Sequence, residues 1–181
     1  FSTPPYVLMG HARPWYGPAI EAQGYAGVKD LLAYHVRPDF AAPRVMERLA
    51  SRVSDRVVIR AVRRKQLLED ALIMLDIFND AWQHNWGFVP LAEAEWVETV
   101  TTLTRLMPDD YIQIAEYDGE PAAFIVALPN LNEAARDLNG RLLPFGWAKL
   151  AYRLFSAPPK SVRMPLMGVL RKYHGTPQGA A

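Results

Sequence analysis

The spacing of apolar and polar positions changes several times along the chain, and each change predicts an element. Pro4 to Met9 (PPYVLM) is a short apolar run that predicts a strand. WYGPAIEAQG then predicts a short helix closed by Gly24, and Val28 to Val36 (VKDLLAYHV) a second strand. The first segment therefore reads β-α-β. RPDFAAP is a Pro-punctuated linker. Val45 to Val53 is a helical patch, with Met46, Leu49 and Val53 on one side and Arg48 and Arg52 on another.

A second pattern begins with the strand VVIRAV, Val57 to Val62. It continues into a long helix, Gln66 to Trp86. Leu68, Leu72, Leu75, Asn79, Trp82 and Trp86 recur there at three- and four-residue steps and so share a face. Gly87 and Pro90 supply the stop. The next helix, Leu91 to Met107, carries Trp96, Val100, Leu103 and Met107 on one face. YIQIAEY-DG-EPAAFIVALP predicts a β-hairpin turning at Asp118-Gly119. Asn130 to Phe155 predicts helix broken around Gly140 and Pro144. Ser161 to Leu170 predicts a last strand, entering the loop KYHGTPQGAA. There is no internal repeat and no low-complexity segment.

Composition narrows the class. The 181 residues suffice for one domain with a sizeable core, and a hydrophobic share of 50% marks a globular chain. Twenty Lys+Arg stand against 19 Asp+Glu, a net +1 with no acidic or basic tail. That balance argues against a nucleic-acid binder, whose affinity rests on neutralising phosphates. The absence of cysteine excludes disulfides, thiolate zinc sites and a cysteine nucleophile. No apolar run approaches the roughly 20 residues of a membrane span, and no signal-peptide pattern opens the chain, so a cytoplasmic location is the expectation. A start at Phe1 and a stop inside GTPQGAA point to a window cut from a longer protein.

The richest stretch chemically is IFNDAWQHNWGFVP, Ile77 to Pro90, with two Trp, two Phe, two Asn, an Asp, a Gln and a His. Taken singly, each residue reads as a seal on a helix corner, the Asn side chains satisfying local backbone. Taken together they read as the wall of a pocket. Asn79, on an apolar face, needs a polar partner either way. Glu116, beside the hairpin turn, reads as solvated. His11 and His35 lack ligand spacing, and no metal site is readable.

The order β-α-α-β-β-β followed by a Gly-containing loop, over Val57 to Ala181, resembles the first half of the GNAT acyl-CoA N-acyltransferase fold. AIEAQGY, Ala19 to Tyr25, is similar to the helix ending in Gly-aromatic that precedes the last strands of such a domain. The resemblance implies an α/β protein whose mixed sheet has flanking helices. Residues 1–37 would be the tail of one GNAT-like domain, 38–54 a linker helix and 55–181 the head of another. NDAWQHNWGFVPLAEAEW and PNLNEAARDLNGRLLPFG are similar to a bacterial GNAT-like group. Relatives of that group include acyltransferases acting on long-chain amino alcohols.

The resemblance implies acyl-CoA as co-substrate, no metal, and a small-molecule or lipid amine as acceptor. Its pantetheine arm would add to the edge of the last strand at Met167, Gly168, Val169 and Leu170. The family's Arg/Gln-x-x-Gly-x-Gly/Ala loop falls on His174 to Gly179. His174, Gly175, Thr176, Gln178, Gly179 and Ala180 would then face the pyrophosphate. Pro177 stands at the first glycine place and offers no N–H. Asn79, Trp82, Asn85 and Trp86 would shape the acceptor pocket, with Asp80 or His84 as the proton acceptor. The family's carboxylate base on this strand is missing, and Ile20 stands where its acidic Tyr is expected, with Tyr16 one turn earlier. The alternative is a degenerate GNAT-like module that binds a ligand or partner without catalysis.

PFGWAKLAYRLF, Pro144 to Phe155, is a basic amphipathic segment. A core-facing stripe is the plainer reading of it, and a peripheral membrane contact through 144–155 is the other. A homodimer is also left open. An isolated chain of this length should leave the Ser161–Leu170 strand with a bare edge, unless residues 1–37 fill it.

Overall fold

The computed structural model describes residues 4–37, 39, 41–157 and 159–180. Phe1 and Ala181, where the cut ends were read, lie outside the described residues. The helices are α1 (Tyr16–Glu21), α2 (Arg44–Val53), α3 (Leu67–Trp82), α4 (Glu93–Leu106), α5 (Leu131–Ala135), α6 (Gly146–Phe155) and α7 (Pro177–Ala180). Strands β1 (Val57–Ala61), β2 (Ile112–Tyr117), β3 (Glu120–Pro129) and β4 (Val162–Val169) form one antiparallel sheet in the order β1-β2-β3-β4. The fold is α/β, with helices flanking the sheet.

The hairpin forms where the sequence places it. Asp118 and Gly119 take φ of 53° and 82°, the left-handed pair that a two-residue turn between twisted strands requires. Arg56, just before β1, reaches across: its guanidinium pairs with the Asp118 carboxylate, and its carbonyl accepts from Asp118 N at 2.9 Å. Alternation along β2 and β3 then selects one face. Ile112 lies opposite Val126 and Ile114 opposite Phe124, and all four are buried. α3 and α4 cover that face with Met74, Ile77, Trp96 and Val100.

α3 departs from its predicted face and length. It ends at Trp82, and Gln83 to Gly87 form turns in which Asn85 N donates to Trp82 O and Phe88 N to Asn85 O. Gly87, at φ 70°, completes the exit. The buried stripe runs through Asp70, Ala71, Met74, Leu75 and Ile77, so Leu68 is exposed and Trp86 lies beyond the helix. The reason is compositional. LLEDALIML is apolar nearly all round, so its period does not select a face; the ion pairs of Asp70 do.

The β-α-β reading of the first segment is corrected in its strands. α1 forms, and Gly24 closes it at φ 85° with its N–H on Glu21 O. Residues 4–9 and 28–36 are not strands, because neither finds a ladder partner. Leu31, Leu32 and Tyr34 are exposed. Residues 5–7 nonetheless reach the body of the fold. Val7 is buried, Asn132 donates to Pro5 O, and Arg163 of β4 donates to Val7 O at 2.9 Å. The first segment thus touches the start of β4 without adding a strand to it.

Candidate functional site

A buried carboxylate fixes how α3 sits on the sheet. Asp70, in the first turn of α3, has no exposed side-chain surface. Arg63 Nη2 lies 2.7 Å and Arg60 Nη2 2.9 Å from its Oδ1, and Arg63 N donates to Oδ2 at 2.7 Å. Arg60 also pairs with Glu116 at 2.6 Å. Burial pushes the Asp70 carboxyl up, but hydrogen bonds from Arg63 and then Arg60 outweigh it and hold the pKa below the ordinary value. Glu116 is therefore half-buried and paired rather than solvated. Sequence reading missed this cluster; its one local signal is an acidic first turn after the basic run RAVRRK.

At its other end α3 meets β4. The aromatic residues gather around Phe78, whose ring lies 5.7 Å from Trp82, 5.8 Å from Phe88 and 6.0 Å from Trp96. Trp96 Nε1 donates to Ala71 O at 2.7 Å, so this side of the cluster seals the α3–α4 corner. Trp82 turns the other way and donates from Nε1 to Met167 O at 2.8 Å. Close packing of α3 on β4 depends on Gly168. A Cβ there would lie 3.2 Å from Phe124, 3.3 Å from Ile77 and 3.4 Å from Ala81.

The polar members of the cluster hold backbone. Asn79 Oδ1 accepts from Leu91 N at 3.2 Å, which satisfies the half-buried Asn and anchors the approach to α4. Asp80 Oδ2 accepts from Arg171 N at 2.7 Å, fixing the turn that leaves β4. His84, Asn85 and Trp86 are exposed on the turns after α3, Trp86 at 63%. Asn79, Asp80 and Trp82 thus meet the last strand and its neighbourhood, whereas His84, Asn85 and Trp86 form a rim facing solvent.

β4 presents Met167 and Val169 along its outer edge. Leu170 N donates to Ala122 O across to β3, and strand alternation turns residues 169 and 167 away from it. Both outer carbonyls are taken by side chains, Met167 O by Trp82 and Val169 O by His174 Nε2 at 2.8 Å. Beyond a turn at Arg171–Tyr173, Gly175 takes φ 69°. The Thr176 hydroxyl donates to Tyr173 O and accepts from Gly179 N, 3.3 Å away. Pro177 opens α7, where a missing N–H has no helical partner to lose. Gln178 reaches the Tyr117 hydroxyl at 3.5 Å, and Ala180 closes α7.

Concave surface also lies around the first segment. A cleft of about 500 Å³ runs between 32–36 and Val162–Pro165. Another, of about 730 Å³, is lined by Tyr6, His11, His35, Asn130, Glu133 and Arg136 among others. Behind its wall, Glu133 accepts from Ser161 Oγ at 2.6 Å and from Lys160 N at 3.0 Å; these two bonds, Ser161 first, hold its pKa below the ordinary value. Asn130 Oδ1 is buried with no hydrogen-bond partner among the described residues. Neither cleft includes Asn79–Trp86. No group of His, Asp and Glu among the described residues is placed to hold a metal ion, and no described helix is long and apolar enough to cross a membrane.

No protein-family model matches the chain. It is 48% identical over 174 residues to Protein YghO of Escherichia coli (strain K12), covering 96% of the chain and 45% of that protein. It is 42% identical over 180 residues to the bacterial ceramide synthase of Caulobacter vibrioides (strain NA1000 / CB15N), covering 99% of the chain and 47% of that protein. The chain thus spans about half the length of the curated relatives it matches. The crystal structure of PH1933 from Pyrococcus horikoshii OT3 aligns with a TM-score of 0.38 at 12% identity, over 66% of this chain and 61% of that one.

Proposed function

We propose that the chain is part of an N-acyltransferase that joins the acyl group of an acyl-CoA to the amine of a long-chain amino alcohol. The observation that carries this reading is the 42% identity, over 180 residues, to a protein named bacterial ceramide synthase. A ceramide is the amide of a fatty acid and a long-chain amino alcohol. Making it from a thioester forms a C–N bond, breaks a C–S bond, removes a proton from the amine and returns one to the thiolate. The protein's part is to hold both reactants in line and to move those protons.

In this reading the donor's pantetheine lies along the outer edge of β4, beside Met167 to Leu170. The 174–180 turn sits against its phosphates. Asn79, Trp82, Asn85 and Trp86 frame the amine, with His84 taking its proton and Asp80 holding the turn after β4 in place. Trp82 and His174, which now fill the outer carbonyls of Met167 and Val169, would yield them to the pantetheine amides. The Pro177 loop, the lack of a carboxylate on β4 and Ile20 at the Tyr place favour a second reading, a binding module that has lost transfer.

One experiment separates them. The full-length protein is incubated with a long-chain acyl-CoA and a long-chain amino alcohol, and amide and free CoA thiol are measured together. Equal appearance of the two supports transfer. A thermal shift with acyl-CoA but no amide supports the binding module. Neither shift nor amide, with acetyl-CoA and a long-chain acyl-CoA alike, removes both.

A further inference from the structure

α6 departs in part from an ordinary surface helix. Such a helix points charge to water and apolar residues to the core. Here Leu150, Ala151 and Leu154 are partly buried as expected, but the charges, Lys149 and Arg153, one turn apart, reach back along the helix flank to Asp137. Both pair with Asp137 at 2.5 Å, and Arg153 also donates to Ala134 O of α5 at 2.6 Å. Hydrogen bonds from Arg153 and then Lys149 hold the Asp137 carboxyl well below the usual carboxylate range, so the pairing is ionic. The opposite face carries Trp147, Tyr152 and Phe155, with no charged residue among them. They are 58%, 64% and 61% exposed. The approach to the helix extends this surface, with Leu143 81% and Phe145 77% exposed.

The near balance of charge over the whole chain conceals a second asymmetry. All 19 acidic residues lie at or before Asp137. After it come Arg141, Lys149, Arg153, Lys160, Arg163, Arg171 and Lys172, seven of the 20 basic residues, and no carboxylate. Arg141 and Lys160, both exposed, flank the aromatic face in sequence, one before α6 and one after it. An apolar patch that a second protein surface covers has no need of this one-sided charge. A bilayer with anionic headgroups matches both parts: Trp, Tyr and Phe suit the headgroup–acyl boundary, and cations at the margin suit the phosphates.

We infer that residues 141–157, together with Lys160, form a peripheral docking surface for an anionic phospholipid bilayer, with Leu143, Phe145, Trp147 and Phe155 entering the interface and Arg141 and Lys160 engaging the headgroups. The inference stands on the polarity of α6 and on the charge distribution, and acyl transfer is not among its premises.

The test uses the full-length protein, with vesicles of phosphatidylcholine alone or mixed with phosphatidylglycerol. Cosedimentation should favour the anionic vesicles and weaken with salt. The paired change Trp147→Ser with Phe155→Ser should lower partitioning by about tenfold or more, since two exposed aromatics supply much of the buried apolar area. Its melting temperature should hold, because neither side chain is in the core. Arg141→Glu with Lys160→Glu should reduce binding to anionic vesicles only. Brominated lipid should quench wild-type emission more than that of Trp147→Phe. Equal partitioning of wild type and the aromatic variant overturns the inference. So does a dimer that the same variant dissociates, which would make the occupant a second copy. A Trp147 shielded from acrylamide in the lipid-free protein also overturns it, because the rest of the polypeptide would then be the cover.

Discussion

Trp82 Nε1 donates to the carbonyl of Met167 at 2.8 Å, joining the last residue of α3 to the outer edge of β4 across 85 positions of sequence. One indole thereby closes two issues. It occupies a strand acceptor that would otherwise face an open edge, and it fixes the end of α3 where the polar residues of 79–86 begin. Trp82→Phe keeps an aromatic ring beside Phe78 and removes the donor together with part of the ring surface. It should cost about 1 kcal/mol in urea unfolding, the worth of one partly exposed hydrogen bond. If acyl-CoA uses the freed carbonyl, the apparent affinity for acyl-CoA should rise in the same variant.

Asp80 decides whether the cluster beside it is framework or machinery. Asp80→Ala strips the acceptor from Arg171 N, so the turn after β4 should loosen at a cost of about 1 kcal/mol. Asp80→Asn keeps an acceptor and should melt within a degree or two of wild type. A tenfold loss of transfer in Asp80→Asn, about 1.4 kcal/mol of transition-state stabilisation, would assign the carboxylate charge to the reaction. Unchanged specific activity in the folded fraction of both variants would leave Asp80 as a strap on the backbone.

Gly168→Ala tests the α3–β4 contact without touching a polar group. The new methyl meets Phe124, Ile77 and Ala81 at 3.2–3.4 Å, and two of the three are core side chains with little room to move. Overpacking of this kind costs about 1–3 kcal/mol. The denaturation midpoint should fall while the slope stays constant.

Asp70 predicts a pH dependence with a definite sign. Its folded pKa lies below the ordinary carboxylate value, so its contribution is present above an unfolded pKa of about 3.9 and is lost as pH falls through the folded value. Asp70→Asn should therefore destabilise by about 3 kcal/mol at pH 7, because Arg60 and Arg63 lose the charge they were buried against. Arg63 is over a third exposed, and solvent screens its share. The gap between wild type and variant should stay flat from neutral pH to about 5 and close below 4.

The elements legible in the sequence were those specified locally. The hairpin needed only Asp118-Gly119 and alternation, and both helix breaks around 140–144 were marked by Gly and Pro. The face of α3 was not legible, because its apolar residues surround the axis and the deciding contact is made by Asp70 with residues from another element. Arg60 and Glu116 illustrate the difficulty. Val58, not Arg60, lies opposite Glu116, so the pair is a diagonal one that exists only once the register of β1 on β2 is known. The strands expected at 4–9 and 28–36 had the right composition and lacked partners, which no local pattern reports. In the candidate site, the aromatic cluster was legible as a cluster. That Asn79 and Asp80 would spend their oxygens on Leu91 N and Arg171 N was not.

The sheet order has a kinetic meaning. β2 and β3 are joined by two residues and occupy the middle, whereas β1 is separated from β2 by both long helices and β4 from β3 by α5 and α6. Closing those longer loops carries the greater entropic cost, so the central hairpin is the native pairing that can form earliest, with the outer strands added afterwards. The amides of Gln113, Ala115, Ala123 and Ile125 point across the inner β2–β3 pair, in the middle of the sheet. Those of β1 lie on a rim where Val58 and Ile59 remain exposed. Deuterium should therefore enter from the margins inward, reaching the hairpin last.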